Sequence, residues 1–173
     1  NEAFLIFDEP GMGKSTEMIM IGRRLKAKLP SHFILFLDLK NFCKVYEKDE
    51  KASTTFKTSQ TVSDFLITKI LKIQNFQAEI FRKLFNDGRV VFLVDGFDEI
   101  CPSYKKFVMN LIEGIKNHTK NQLWVATRPQ FADELTEKLK CLKFRLKPFT
   151  WVDGEEFLTK YLSRSSELSE DDL

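Results

Sequence analysis

The sequence predicts an α/β protein: a three-layer α/β/α sandwich around a five-stranded, mainly parallel sheet. Three observations lead there. Short apolar runs alternate along the chain with segments whose apolar residues recur at helical spacing, the signature of strands joined by crossover helices. Most of the apolar runs are continuous rather than alternating, as strands buried on both faces require. Polar clusters follow the first, third and fourth runs directly, so right-handed parallel crossovers bring all three clusters to one sheet edge.

The elements follow in order. Residues 3–7, Ala-Phe-Leu-Ile-Phe, read as the first strand. A helix from about Lys14 to Lys28 carries Met18, Ile21 and Leu25 inward and stops at Pro30. Its Arg23, Arg24, Lys26 and Lys28 read as a solvated face, with a phosphate role for Arg23 or Arg24 as the alternative. Phe33 to Leu37 is a second buried strand. Lys44 to Gln60 is polar and reads as a long surface loop. Thr61-Val62-Ser63-Asp64 resembles a capped helix start. Helices are expected near 62–73, with Phe65, Leu66, Ile70 and Ile73 inward, and near 76–86, with Phe76, Ile80 and Leu84 inward. Val90 to Val94 is the third strand, and a helix near 103–117 buries Phe107, Val108, Leu111, Ile112 and Ile115. Leu123 to Ala126 is the fourth strand, followed by a helix near 131–140 using Phe131, Leu135 and Leu139. Leu142 to Lys147 alternates strictly, as an edge strand does. A last helix starts between Thr150 and Asp153 and turns Phe157, Leu158, Tyr161 and Leu162 inward. Residues 1–162 are expected to form one core, and 163–173 an acidic, serine-rich linker or the start of a following region of a longer protein.

Composition narrows the function. The 173 residues suffice for one domain with a real core, and 43% hydrophobic with 30% charged residues is ordinary for a globular chain. A balance of 27 basic and 25 acidic residues provides no basic field for nucleic acid. Cys43, Cys101 and Cys141 are odd in number and far apart, and His32 and His118 lack ligand spacing, so reduced thiols in a cytoplasmic protein are expected. No apolar run approaches the roughly 20 residues that span a bilayer.

The chemistry is carried by the turn after the first strand. Asp8-Glu9-Pro10-Gly11-Met12-Gly13-Lys14-Ser15-Thr16 ends in the Gly-Lys-Ser of a phosphate-binding loop. Gly11 and Gly13 let backbone amides close around an anion, at a helix N-terminus that favours negative charge. Lys14 would reach the β- and γ-phosphates, and the Ser15 hydroxyl would ligate Mg²⁺. Asp8 stands where the pattern has its first glycine. The plain alternative is a glycine turn that binds nothing.

A metal-bound nucleotide also needs a carboxylate on a neighbouring strand, and Asp95 ends the most hydrophobic strand of the chain. Asp98 and Glu99 follow as candidates to orient or deprotonate water; the alternative is that they only begin the next helix. Arg128 follows the fourth strand and could meet the γ-phosphate, or form a surface ion pair.

Together these residues resemble a NACHT domain, the nucleotide-binding module of the STAND class of P-loop NTPases. The resemblance rests on Asp8 to Thr16, on Val91 to Glu99 with its Asp-Gly-Phe-Asp-Glu, on Leu123 to Pro129 ending Thr-Arg-Pro, and on Lys147-Pro148-Phe149-Thr150. It implies a sheet ordered 5-1-4-3-2. It implies that Asp95 binds Mg²⁺, that Asp98 and then Glu99 are the catalytic acids, and that Arg128 senses the γ-phosphate. It also implies ATP or ADP as cofactor and a switch in innate immunity or cell death that hydrolyses slowly. Its partners would be other NACHT domains on activation and flanking effector and repeat domains.

Two other readings stand beside this one. A P-loop kinase would carry an arginine-rich acceptor lid, whereas 44–60 holds lysines and no arginine. A non-catalytic scaffold draws its support from Asp8. ATP is preferred to GTP because Asn-Lys-x-Asp does not occur.

Overall fold

The structure, a computed structural model, describes residues 2–46, 55–100, 102–148 and 150–168. Five strands, β1 (Ala3–Phe7), β2 (Phe33–Asp38), β3 (Val90–Asp95), β4 (Gln122–Thr127) and β5 (Leu142–Arg145), form one sheet in the order β2-β3-β4-β1-β5. Every pairing is parallel. Read from the other side, this is the order 5-1-4-3-2. β5 pairs only with β1 and is an edge, as its alternation predicts.

Alternate residues of each strand face opposite layers. On one face, Ile6, Val91, Leu93 and Ala126 pack against Met18 of α1 (Lys14–Lys28). α1 lies close because Gly22 has no side chain: a Cβ there would stand 2.7 Å from Leu93 Cδ1. On the other face, Leu5, Phe92, Val94, Leu123 and Val125 meet the remaining core helices. These are α2 (Ser59–Phe65), α3 (Asn75–Asn86), α4 (Pro102–His118) and α5 (Pro129–Leu139). β3 is buried along most of its length, which explains its unbroken apolar run.

Several expectations need correction. The helix expected near 62–73 begins at Ser59, capped by a reciprocal pair between Thr58 and Thr61, and continues as a π-helical turn over Leu66–Leu71. The segment 44–60 is not simply a surface loop. Its residues 47–54 lie outside the described residues, but Tyr46 and Phe56 on either side are buried. Phe56 meets Phe65 and Phe107 edge-on, and Tyr46 packs near Phe107. Gly114 makes room for it, since a Cβ there would lie 2.7 Å from Phe56 Cβ.

The inward face of α3 is Ala78, Phe81 and Phe85; Phe76 and Ile80 are exposed. The last helix, α6 (Trp151–Leu168), opens with a Thr150–Asp153 capping box, yet Phe157, Leu158, Tyr161 and Leu162 are exposed along it. α6 extends to Leu168, and residues 169–173 lie outside the described residues.

Candidate functional site

Parallel strands deliver their C-terminal ends to one edge, and the register fixes what meets there. Leu5, Val125 and Val94 share a level across β1, β4 and β3, and Leu37 of β2 continues it. One residue beyond Val94 is Asp95, level with Asp38. Phe7 pairs with Thr127 on one side and Arg145 on the other. The phosphate-type loop, the acids after β3 and the Thr-Arg after β4 therefore occupy the same edge.

The loop from Asp8 to Gly13 is shaped by its glycines. Gly11 has φ +80° and Gly13 has φ +86°, left-handed values that strain an L-residue, and a Cβ added at either meets nothing within 4 Å. The space over them is open to a ligand. Gly13 caps α1, whose first ladder bond runs from the Glu17 amide to the Gly13 carbonyl at 2.9 Å. The amides of Lys14, Ser15 and Thr16 precede that bond and have no helical acceptor. Met12, Ser15 and Thr16 are exposed, and Lys14 is half-buried. Lys14 Nζ donates to the carbonyls of Asp8 at 2.7 Å and Glu9 at 2.9 Å, tying the loop's two ends together. Pro10 lies exposed between them.

Asp8 is buried, with 2% of its surface exposed. Its Oδ1 accepts from the Glu9 amide at 2.9 Å and from Arg145 Nε at 3.4 Å, while the buried Oδ2 has no hydrogen-bond partner among the described residues. The Glu9 amide, working against desolvation, and the Arg145 charge hold the Asp8 carboxyl below the usual carboxylate range.

Asp95 Oδ1 accepts from the Gly96 amide at 2.9 Å, an arrangement made possible by φ +77° at Gly96. A 3-10 turn, Phe97–Glu99, then carries the two remaining acids. Phe97 is buried against Phe131 of α5, and this anchors the turn. The acids diverge in their surroundings. Asp98 is nearly buried and its Oδ2 lies 2.6 Å from Arg128 Nε. Glu99 is exposed, and its carboxylate lies 3.5 Å from Lys40 Nζ, which is also 3.5 Å from Asp38. Arg128 caps α5 from the end of β4.

A cleft of about 930 Å³ opens beside the loop, lined by residues that include Gly11, Gly13, Thr16, Ile21, Trp124 and Leu146. Its size is in the range of small-molecule sites, and its walls are mostly apolar with the loop's backbone at one end. α6 contributes Phe157 to the far wall.

With the loop, the acids after β3 and the Thr-Arg after β4 on one edge, a family comparison becomes specific. The NACHT domain model matches residues 5–165, nearly the whole chain. The chain belongs to the NACHT family. NACHT domains are nucleotide-binding NTPase modules, generally of signalling proteins. No curated protein matches the chain.

The donor set suits such a ligand. The open glycine cradle and the free helix amides fit phosphate oxygens. Asp95, with Oδ2 unpartnered among the described residues, suits Mg²⁺, which is commonly held by one or two carboxylates plus phosphates. Ser15 is the hydroxyl on the loop side.

Three residues at this edge escaped the sequence reading. Asp38 ends β2 and Lys40 lies just after it, and the rule that polar residues at strand ends converge would have found them. Arg145 was seen only as one position in an alternating strand. The acid at position 8, out of place in a phosphate loop, was the signal that a counter-charge is nearby. No helix among the described residues is long and apolar enough to cross a membrane.

Proposed function

We propose that this NACHT domain binds Mg·ATP across the edge formed by the loop and Asp95, hydrolyses it slowly, and uses the ATP and ADP states as a conformational switch. The observation that carries the reading is the glycine cradle at the N-terminus of α1 sharing a sheet edge with the Asp95 carboxylate. In it, residues Asp8 to Thr16 form the binding loop, with the amides of Gly13 to Thr16 and Lys14 on the phosphates. Ser15 and Asp95 would hold Mg²⁺, which would supply charge neutralisation for the phosphates. The cleft beside Trp124 and Leu146 receives the base and ribose.

Asp98, Glu99 and Arg128 divide the remaining work. Arg128 presents a cation toward the γ-phosphate position, and the buried Asp98 fixes its orientation through their 2.6 Å contact. Glu99 is the freer carboxylate to orient water, with Lys40 beside it. Phosphate release by Asp98→Asn and Glu99→Gln tests the division. Glu99→Gln should bind ATP and turn over least, while Asp98→Asn should loosen Arg128. Full turnover in both would refute the catalytic assignment. A non-catalytic, nucleotide-binding scaffold is the second reading, favoured by the closed Asp98–Arg128 pair, and it predicts binding with no turnover in the wild type.

The same reading makes 1–162 the cytoplasmic core of a larger signalling protein of innate-immune or cell-death type, with 163–173 as linker or the start of a following region. There it would associate with other NACHT domains on activation, between effector and repeat regions. The exposed apolar face of α6 supports a covering segment.

A further inference from the structure

We propose that Arg145, on the edge strand β5, is a positioning residue of the nucleotide site: it supplies the counter-charge that lets this phosphate loop carry an acid at its entrance. The inference rests on the nucleotide reading above. An aspartate at position 8 adds a negative charge at the mouth of a loop built for polyphosphate, and a lone carboxylate there would repel the ligand.

The structure shows how the repulsion is met. The Asp8 carboxylate is 3% exposed and turned against β5, with Arg145 Nε 3.4 Å from Oδ1. The Arg145 guanidinium is 64% exposed, and Arg145 lines the same cleft as Gly11, Gly13 and Thr16. The parallel pairing of Phe7 with Arg145 sets the pair in place, because it puts residue 8 one step past the level of Arg145. Lys14 cannot perform this duty, since its ammonium is bound to the carbonyls of Asp8 and Glu9 and is needed by the phosphates.

The two charges differ in burial, so the two substitutions are not mirror images. Removing Arg145 leaves a poorly screened carboxylate beside the ligand. Removing the Asp8 charge leaves a well-solvated guanidinium that attracts it. A purely structural strut would behave otherwise: either substitution would loosen the loop and weaken binding.

The test is calorimetric titration of Mg·ADP into wild type, Arg145→Ala, Asp8→Asn, the double variant and Lys14→Ala, with thermal melts of each without nucleotide. Arg145→Ala should bind about tenfold more weakly, the scale of a unit charge left uncompensated several ångströms from phosphate. Asp8→Asn should bind at least as tightly as wild type, and the double variant should regain most of what Arg145→Ala lost. Equal affinities for wild type and Arg145→Ala, or weakening by Asp8→Asn, would overturn the proposal. If Arg145→Ala does not fold, the direction of the Asp8→Asn change decides alone. Wild-type binding that disappears in Lys14→Ala keeps the nucleotide site whatever Arg145 does, whereas no wild-type binding removes that reading and this proposal with it.

Discussion

Replacing Gly13 by alanine separates the loop's shape from the fold's stability. Gly13 sits at φ +86°, and a Cβ there touches nothing within 4 Å, so the fold has no steric objection. The cost is backbone strain alone, about 1–2 kcal/mol for an L-residue in the left-handed region. For a domain of this length that is a fall in Tm of about 2–8 °C. The effect on ligand should be far larger. To relieve strain, residue 13 rotates toward negative φ, and the amides of residues 13 to 15 cease to point at one centre. Losing two hydrogen bonds to a charged group, about 1.5–3 kcal/mol each, weakens Mg·ATP by about two to four orders of magnitude. Differential scanning fluorimetry and calorimetric titration of the same preparation measure both quantities. An unchanged affinity would refute the claim that these amides hold the phosphates. A Tm loss well above that range would show that Gly13 is structural first.

Other outcomes follow from the same geometry. Lys14→Ala should abolish measurable Mg·ATP binding while the fold stays intact by circular dichroism, because the Lys14 ammonium bonds to the loop carbonyls of Asp8 and Glu9 and to no core group among the described residues. Asn121→Ala should cost about 3 kcal/mol in urea unfolding, since the buried amide accepts from Val90 N–H and donates to the Phe85 carbonyl, each at 2.9 Å. Arg128→Ala should slow phosphate release and also lower stability, because it strands the nearly buried Asp98 carboxylate. Stability should fall in acid. The carboxyls of Asp8, bonded to the Glu9 amide and Arg145, and Asp153, bonded to Thr150, are held below their ordinary value. Their contributions are complete above about pH 3.9 and are lost as pH drops through the lowered folded values. Asp153→Asn should flatten the Tm slope in that window.

The sheet was legible in the sequence because β1, β3 and β4 lie inside it and carry continuous apolar runs; β2, expected to be buried, is instead an edge strand with Phe33 and Phe36 exposed. The functional edge was legible because chemistry restricts it: no residue but glycine sits comfortably at positions 11, 13 and 96. The phase of α3 was not legible. Phe76, Ile80 and Leu84 form one apolar stripe and Ala78, Phe81 and Phe85 another, and only the partners, Phe33 and Phe92, choose between them. Tyr46 and Phe56 were hidden for a similar reason, as two aromatics in polar surroundings whose pocket is built by α2 and α4. The Asp8–Arg145 and Lys40–Glu99 contacts join residues far apart in the chain, so they follow from strand order and register rather than from any local pattern.

The central claim is that the loop amides and the Asp95 carboxylate share one metal-bound nucleotide. Calorimetric titration of ATP with and without Mg²⁺, into wild type and Asp95→Asn, tests it most directly. Wild-type affinity should rise when Mg²⁺ is added, and Asp95→Asn should still bind ATP but lose most of that rise. An equal Mg²⁺ effect in the two proteins, or no ATP binding by either, would contradict the account.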